Sequence, residues 1–449
     1  MIDLYTEIEN GRRKFENEIF QPIYQSIKTD TAFLELNRLD FINCEFNFFE
    51  IEDLNQPDLT IFFKECVFND HVNFFDVYLG GLIFVEIKKI TNVDISGKFT
   101  RIRFNNKNTP LNGGLDLNVE IIQELNFEDF NQTNGKLELI VNNGNLEKKE
   151  EFRTFFKNAK FNDFFISNSN FGYIANFKNI TVLSNLSFEE CSFEECFFDN
   201  SNFTGEVNFL NCLFNKFASF QNLVSQNSSS FHIKKSKFIE RVNFNNSKFH
   251  KLEINDNNFK ELTFQDSQFN SISIDRTTFE KNVLFDDIQI TNINDCNRRT
   301  IRTIKQEIQK AENRIDFNRF KNYEMATYYK ELSWKKNFVD KSILYMTKIS
   351  TDFGNSWTKA LGFTLLSALL FFTLFFINEN YFNSFDLKNW TQFTSGYFRF
   401  FLVTDFYNPL ETDRVYLTNP LSWLIFVFGK IVIAFGIYEM IQSFRKFKA

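Results

Sequence analysis

Between Phe244 and Leu284 a large apolar residue recurs at every fifth position of the chain. A helix repeats about every 3.6 residues and a strand about every 2, so neither element explains this spacing. A coil that turns a corner after each five-residue side does explain it, because four sides make one turn and the apolar residues stack inward. The pattern therefore predicts a β-solenoid with a phenylalanine core. Its apolar positions are Phe244, Phe249, Ile254, Phe259, Phe264, Phe269, Ile274, Phe279 and Leu284.

The residue two places before each of these positions alternates between large and small. The large ones are Val242, Leu252, Leu262 and Ile272, and the small ones are Ser247, Asn257, Ser267 and Thr277. The repeating unit is therefore ten residues long, and we expect the small residues on the sides where the coil is narrow. An upstream block from Leu186 to Phe203 follows the same rule.

Units such as Cys-Ser-Phe-Glu-Glu at 191–195 and Ser-Lys-Phe-His-Lys at 247–251 resemble those of pentapeptide-repeat proteins. That family places a small residue first, Asp or Asn second and Leu or Phe third. The second place is seldom Asp or Asn in this chain. The resemblance implies a right-handed, four-sided β-helix, which we assign to residues 39–290.

The repeat register is hard to follow between about 77 and 185. Gly80-Gly81, Gly113-Gly114 and Asn142-Asn143-Gly144 predict loops that interrupt the coil in this stretch. Before the coil, residues 1–38 are assigned to an N-terminal helical cap, because Ile8, Phe15, Ile19 and Ile23 follow a helical spacing. A cap would protect the first coil from strand addition.

Five of the six cysteines stand two places before a phenylalanine. They are Cys44, Cys66, Cys191, Cys196 and Cys212. A free cysteine behaves as a small buried hydrophobe, which suits the inward position. We expect no metal site, because no second ligand pair stands at a matching spacing. Unpaired thiols favour a reducing compartment, and residues 1–20 lack the apolar run of a signal peptide.

The charge balance changes after Ile290. Residues 1–290 hold 29 basic and 43 acidic side chains, whereas residues 291–449 hold 21 and 14. Apolar residues at Ile301, Ile304 and Ile308 predict a helix, and Asp316 is the expected N-cap of a second one. Residues 291–350 are therefore predicted to form a basic cytoplasmic helical hairpin and juxtamembrane region. Its charge fits either anionic lipid headgroups or a solvated helix face.

Two apolar stretches reach the length of about 20 residues that a spanning helix needs. They predict membrane helices at about 357–377 and 421–443 of a membrane module, 351–449. Basic residues are denser before the first of these helices and after the second than in the loop between them. The positive-inside rule therefore predicts two spans with both termini in the cytoplasm.

The second apolar stretch carries the candidate functional residues. Small residues recur every seven places and form a stripe that a neighbouring helix can approach closely, in a homo-oligomer or in a hairpin. Lys430 lies inside the hydrocarbon, where it either has a function or is neutralised by snorkelling or by a backbone carbonyl. Glu439 falls on the opposite face and cannot pair with Lys430. The residues of the stripe are Ser422, Gly429, Gly436 and Ser443.

Between the spans, Phe393–Phe406 is aromatic and predicts a short interfacial or re-entrant helix. Thr394-Ser395-Gly396-Tyr397 is similar to the Thr-x-Gly-Tyr core of potassium-channel filters. Phe398 and Arg399 depart from the filter pattern that follows that core.

The segments 352–357, 436–438 and 443–447 resemble a membrane module found behind pentapeptide repeats in bacterial proteins. That resemblance implies the bacterial inner membrane and no particular activity. The histidines His71, His232 and His250 have no nucleophile or ligand motif around them, so we expect neither an enzyme nor a cofactor. Acidic solenoids of this family can imitate DNA, but a membrane anchor argues against nucleic acid as a partner.

Two functions fit these observations. The first is a cytoplasmic solenoid held at the lipid bilayer, acting as a scaffold or sensor for an unknown protein partner. The alternative is an oligomeric two-helix ion channel, or a membrane-permeabilising effector, gated by the solenoid, with Lys430 lining the pore. The homo-oligomer would assemble through the second membrane helix.

Overall fold

The computed structural model describes residues 1–26, 36–143, 152–226, 229–281, 283–379 and 387–445 of the 449-residue chain. The chain divides into two compact units, Met1–Thr303 and Ile304–Ala449. Strands make up most of the first unit, and helices make up the second.

The first unit is a parallel β-solenoid of about 12 turns, preceded by the short helix α1, Leu4–Glu9. In the first half of the solenoid the strands are β1 Lys14–Glu16, β2 Ile19–Phe20, β3 Ile23–Ser26, β4 Arg38–Ile42, β5 Glu45–Phe46, β6 Phe49–Glu52, β7 Asn55–Lys64, β8 Val67–Phe68, β9 His71–Val85, β10 Asn92–Asn105, β11 Gly114–Asn126, β12 Lys136–Asn143, β13 Arg153–Phe155, β14 Lys160–Phe161, β15 Asp163–Ser167 and β16 Asn170–Asn176. In the second half they are β17 Thr181–Val182, β18 Leu186–Glu189, β19 Ser192–Phe197, β20 Asn202–Phe203, β21 Val207–Leu210, β22 Leu213–Phe214, β23 Ala218–Ser219, β24 Val224–Ser225, β25 Ser230–Lys234, β26 Lys237–Asn243, β27 Lys248–Asn255, β28 Asn258–Thr263, β29 Gln268–Asp275, β30 Thr278–Phe279, β31 Val283–Leu284 and β32 Gln289–Ile290.

Each strand pairs in parallel with the strand one turn further along. Strand β15 pairs with β18, β18 with β21 and β21 with β25, which places Ile166, Phe188, Phe209 and Ile233 one above another. This register confirms the predicted fold, a β-solenoid followed by helices.

Phenylalanine rings fill the core. One column holds a ring in every coil from Phe15 to Phe285, and consecutive ring centroids in it lie between 4.6 and 5.5 Å apart. Stacking at this spacing adds a ring–ring attraction to the burial of apolar surface. The rings of this column are Phe15, Phe41, Phe63, Phe84, Phe104, Phe127, Phe156, Phe177, Phe198, Phe220, Phe244, Phe264 and Phe285.

The small inward residues do more than fit a narrow side of the coil. Ser247 Oγ donates a hydrogen bond to the carbonyl of Phe220 at 2.8 Å, one coil earlier, and Ser267 Oγ donates to Phe244 at 2.9 Å. Cys191 Sγ makes the same bond to Ile166 at 3.6 Å. Cysteine, serine, threonine or asparagine at this place therefore joins successive coils.

All six cysteines are free and buried, as the inward assignment of five of them predicts.

Residues of positive φ stand in columns between strands. Asn158, Asn179, Asn200 and Asn222 succeed one another by one coil, with φ between 54° and 60°. Asn179 Nδ2 donates to Asn158 Oδ1 at 3.0 Å, and Asn222 Nδ2 donates to Asn200 Oδ1 at 3.0 Å. Asparagine tolerates left-handed backbone better than other residues with a side chain, which accounts for its use at these bends.

The structure corrects the predicted helical cap over residues 1–38. Helix α1 has six residues, and β1, β2 and β3 already belong to the first coil. Phe15 and Phe20 stack on Phe41 and Phe46 with centroid distances of 5.3 and 4.9 Å. The helical spacing was misleading because Phe15 and Phe20 also fit the five-residue spacing of the solenoid. Their stacking on the next coil favours the solenoid over a helix.

The structure corrects the first of the three loops predicted between 77 and 185, whereas Gly113 does lie between strands, directly before β11. Gly80 and Gly81 lie inside β9, which continues in parallel register with β7 and β10. A Cβ on Gly80 would lie 2.6 Å from the carbonyl oxygen of Pro57, and one on Gly113 would lie 2.3 Å from that of Thr91. These glycines mark close approach between coils. Gly144 lies outside the described residues.

The last strand ends at Ile290, and the 3₁₀ helix Ile293–Asp295 and helix α2, Arg298–Lys310, follow it. Thr300 Oγ1 accepts a hydrogen bond from the Ile274 amide at 2.8 Å. Arg299 forms an ion pair with Asp275 at 2.5 Å. The first turn of α2 therefore provides side-chain partners for the last coil of the solenoid. A further coil would have provided backbone hydrogen-bond partners at the same place.

The second unit contains the rest of α2 and five further helices among its described residues. A short turn follows α2. The N-cap of the next helix is Asn313 and not the expected Asp316, because Asn313 Oδ1 accepts a hydrogen bond from the Asp316 amide at 3.2 Å. Lys305 and Glu324 form an ion pair across this hairpin at 2.5 Å. The helices are α3 Arg314–Glu331, α4 Phe338–Thr351, α5 Trp357–Asn378, α6 Leu387–Phe401 and α7 Pro420–Arg445.

Candidate functional site

Helices α5 and α7 are long and apolar enough to cross a membrane. They have 22 and 26 residues, and at about 1.5 Å per residue both exceed a hydrocarbon layer of about 30 Å. Their exposed side chains are apolar and suit contact with lipid. Examples are Leu361, Leu366, Leu370, Leu424, Phe428 and Ile431.

The stripe of small residues on α7 packs inside the unit. A Cβ on Gly436 would lie 2.3 Å from Thr364 Oγ1 of α5. A Cβ on Gly429 would lie 2.7 Å from the ring of Phe400 and 2.9 Å from Phe371 Cβ. Glycine at these places lets the backbones of the two helices approach closely.

The two serines of the stripe are hydrogen-bonded. Ser422 Oγ accepts a hydrogen bond from Asn378 Nδ2 at 2.7 Å and donates one to the Glu379 carboxylate. Ser443 Oγ donates to the Glu439 carbonyl at 3.0 Å. The spacing allowed the stripe to pack either in a homo-oligomer or in a hairpin, and in this structure it packs in the hairpin. A homo-oligomer stays a prediction, and it would need a different face of α7.

Lys430 is buried, with 4% of its surface exposed. Its Nζ donates a hydrogen bond to the carbonyl oxygen of Leu402, one residue past the end of α6. The same nitrogen lies 4.8 Å from the ring centroid of Phe426 and 5.4 Å from that of Phe400. Carbonyls at the C-terminal end of a helix carry partial negative charge, so Lys430 is placed to neutralise the end of α6. Of the alternatives stated for Lys430 in the sequence analysis, the structure shows pairing with a backbone carbonyl.

Helix α6 packs on the aromatic side of α5. Phe393 contacts Phe372 and Phe376 with centroid distances of 5.1 and 5.2 Å, and Tyr397 donates a hydrogen bond to the Leu365 carbonyl at 3.1 Å. The segment similar to a potassium-channel filter, 394–397, is helical. Its backbone is therefore not an extended row of ion-binding carbonyls. The helix expected at Phe393–Phe406 is present with earlier bounds, Leu387–Phe401, and its interfacial position stays a prediction.

Glu439 faces away from Lys430, as their nine-residue separation predicts. Its side chain is buried, and Oε2 accepts a hydrogen bond of 3.0 Å from Thr351 Oγ1 at the end of α4. Thr351 Oγ1 also accepts a hydrogen bond from the Gly354 amide at 2.9 Å. Glu439 therefore joins α7 to the turn between α4 and α5.

A cavity of about 490 Å³ opens beside Glu439, within the second unit. Polar and apolar side chains both line it, and two of them are joined, since Gln442 Nε2 donates a hydrogen bond to Tyr438 Oη at 2.9 Å. It is lined by Asn318, Lys321, Asn322, Met325, Leu344, Thr347, Phe353, Gly354, Tyr438, Glu439 and Gln442.

Sequence reasoning did not identify helix α4. Residues 337–350 were included only in a juxtamembrane region, although Phe338, Val339, Ile343 and Ile349 recur at helical spacing. The prediction rested on the lysines before and within this segment alone. The apolar positions between those lysines would have predicted the helix.

The solenoid carries an open surface groove of about 550 Å³. Arg103 and Glu124 form an ion pair there at 3.0 Å, and Glu124 also accepts from Asn126 at 2.9 Å. The groove combines both signs of charge with an aromatic ring. It is lined by Arg103, Gln123, Glu124, Asn126, Glu128, Arg153 and Phe155.

The histidines lie apart from each other on the solenoid. His71 pairs with Asp70 at 2.7 Å, and His232 pairs with Glu253 at 2.9 Å. Burial lowers the pKa of His232. Across the described residues, no group of three or more histidine, cysteine or acidic side chains is arranged to hold a metal ion.

Residues 166–213 match the family model described as pentapeptide repeats (9 copies). No curated protein and no solved structure matches the chain significantly.

Proposed function

We propose that this pentapeptide-repeat chain is a membrane-anchored scaffold whose solenoid binds a partner protein. One observation carries the proposal. In the membrane unit Lys430, Glu439 and the small-residue stripe already have partners, whereas the solenoid presents its groove of mixed charge outward. The membrane unit then acts as an anchor, and recognition belongs to the solenoid.

The groove suits a protein surface better than a small molecule. It is shallow and open, and its charged residues stand beside Phe155, an aromatic side chain of the kind that anchors protein interfaces. The parallel sheet beneath it is stiff, because hydrogen bonds and stacked rings join each coil to the next. A stiff surface loses little entropy when it binds a partner.

We further propose that the solenoid and both termini lie in the cytoplasm of a bacterial cell, with α5 and α7 crossing the inner membrane. The six free, buried cysteines suit a reducing compartment. Lys335, Lys336 and Lys348 precede the first span, and Arg445 follows the second. This distribution favours a cytoplasmic position for the basic ends.

The channel alternative has less support. Its oligomer was expected to form through the stripe on α7, and that stripe contacts α5 and α6 of the same chain. Lys430 was expected to line the pore, and it is bonded to the Leu402 carbonyl. A pore would therefore require the unit to repack.

The scaffold proposal can be tested with a photo-crosslinking amino acid in place of Phe155. Phe197 is the matched control, since it lies two turns further along the same face. In native cells we expect the full-length chain to form one discrete adduct through position 155 and not through 197. Arg153→Glu should reduce the yield of that adduct about tenfold, the effect of losing one good interface contact. Equal adducts at both positions would contradict a binding site in the groove.

Ion flux tests the anchor role. Purified full-length protein in liposomes should leak ions no faster than empty liposomes, and Lys430→Met should behave in the same way. Flux whose ion preference changes in Lys430→Glu would instead establish the channel.

A further inference from the structure

Helix α4 has a wide apolar face that stays largely exposed among the described residues, although Trp334 packs beside Phe338 and Tyr345. Phe338 is 65% exposed, Val339 67% and Ile343 58%, and Tyr345 and Ile349 are also exposed. At about 100° per residue, these five side chains and Met346 fall on one continuous side of the helix. Soluble surfaces rarely expose so many large apolar side chains together, and such a patch marks an interaction site.

The opposite side of α4 is the one that packs. Leu344 and Thr347 border the cavity beside Glu439, and Thr351 is bonded to Glu439. Lys341 and Lys348 lie over the ring of Tyr329, 4.9 and 5.0 Å from its centroid. The apolar side is therefore directed away from α3 and α7.

The position of α4 is fixed relative to the membrane helices of its unit. Its last residue holds α7 through Glu439, and α5 begins six residues later at Trp357. Asp352, Phe353 and Gly354 all have positive φ, at 54°, 59° and 87°, which turns the chain sharply between the two helices. The end of α4 thus lies close in sequence to the start of α5, whose exposed side chains are largely apolar.

We propose that α4 lies along the membrane surface, with its apolar side inserted into the cytoplasmic leaflet of an anionic bilayer. The exposed Lys335 and Lys336, which directly precede α4, meet the headgroups there. This is the chemistry of an interfacial amphipathic helix, in which apolar burial and charge attraction act together. A lipid occupant fits better than a protein one because α4 is joined by a short turn to a helix of spanning length and is preceded by two exposed lysines. The inference rests on the proposed anchoring by α5 and α7.

The test uses full-length protein in vesicles, with one spin label at a time. Val339→Cys and Ile343→Cys report on the apolar side, and Asp340→Cys and Lys348→Cys report on the other side of the same helix. Leu366→Cys, on the exposed side of α5, reports on the anchor itself. The six native cysteines are buried, and the unsubstituted chain gives their background labelling.

Collision with oxygen, which concentrates in lipid, and with a water-soluble nickel complex gives the depth of each label. We expect labels at Val339 and Ile343 to favour oxygen several-fold more than labels at Asp340 and Lys348. Equal access of the nickel complex to all four positions, with Leu366 still buried in lipid, would overturn this inference alone. Water exposure at Leu366 would instead overturn the proposed anchor.

The contribution of the lysines is measured in the same way. In vesicles with one-third phosphatidylglycerol, the Val339 label should sit deeper than in phosphatidylcholine alone. The double variant Lys335→Gln/Lys336→Gln should lose that difference, whereas Arg414→Gln in the loop between the spans should keep it. The same depth in both kinds of vesicle would overturn the role of the lysines.

Discussion

At the scale of single residues, each place in the coil has its own physical demand. The inward ring must stack, the small residue must donate to the previous coil, and the bend must accept positive φ. Phe198, Ser201 and Asn200 meet these three demands within four positions of the chain. The abundance of asparagine and phenylalanine follows from this division of tasks.

The stacked column predicts a large difference between neighbouring phenylalanines. Phe198 is fully buried and stacks on Phe177 at 4.6 Å, whereas the preceding Phe197, the last residue of β19, is only half-buried on the outer side of the coil. We expect Phe198→Ala to lower the free energy of unfolding of the solenoid by about 3–5 kcal/mol, through lost burial and a cavity. Phe197→Ala should cost less than about 1 kcal/mol. Chemical denaturation followed by circular dichroism measures both, and equal losses would contradict the inward and outward assignment.

His232 predicts a dependence of stability on pH. Burial lowers its pKa, although Glu253 and Glu206 act in the opposite direction and Lys234 adds to the lowering. The unfolded chain therefore takes up a proton first as the pH falls below about 6.5, the ordinary pKa of histidine. The contribution of His232 to the free energy of unfolding is therefore present above that pH and is lost as the pH falls.

We expect the melting temperature of the solenoid to fall less between pH 7.5 and pH 5.5 in His232→Gln than in the parent chain. The matched control is His250→Gln, which should keep the parent's slope. Identical slopes in all three proteins would show that His232 does not couple protonation to folding.

At the scale of elements, the clean five-residue spacing correctly predicted the strands from Leu186 to Ile290. It failed where strands are longer. Strands β9, β10 and β11 have 15, 14 and 13 residues and run across a bend, so the simple alternation of a strand replaces the five-residue spacing. The glycines there read as loop signals because close approach between coils leaves no mark of its own in a sequence.

Packing of α5 against α7 predicts different outcomes for two glycines. A Cβ at Gly436 of α7 would meet Thr364, whereas one at Gly362 of α5 would meet nothing within 4 Å. Gly436→Ala should therefore lower the melting temperature of the second unit, measured on the full-length chain in detergent, by several degrees. Gly362→Ala should leave it unchanged or raise it slightly, because alanine favours the helix. Equal effects would argue against the hairpin contact between α5 and α7.

At the scale of the whole molecule, the thiols are shielded together. All six are buried, and burial raises the pKa of Cys196 and of Cys296. Hydrogen bonding with Cys66 lowers the pKa of Cys44 to about 7, but the Cys44 side chain is only 1% exposed, so reagent does not reach it. The thiolate is the reactive form of cysteine, so the native full-length chain should react very slowly with a thiol reagent at neutral pH. Six thiols should react after denaturation. The Asp340→Cys variant serves as the control, with one fast thiol in the native state, and fast reaction of the parent chain would contradict the inward assignment.

The sequence by itself determined the solenoid, its phenylalanine core and two apolar helices long enough to span a membrane, because each depends on a periodic pattern or on length. Tertiary structure decided how the remaining residues are used. It assigned Phe15 and Phe20 to the first coil, because stacking on Phe41 and Phe46 outweighs a short helical pattern. It gave Lys430 the Leu402 carbonyl and Glu439 the Thr351 hydroxyl, partners that lie 28 and 88 residues away. Spacing along a chain records which side of an element a residue occupies, but not which distant group meets it there.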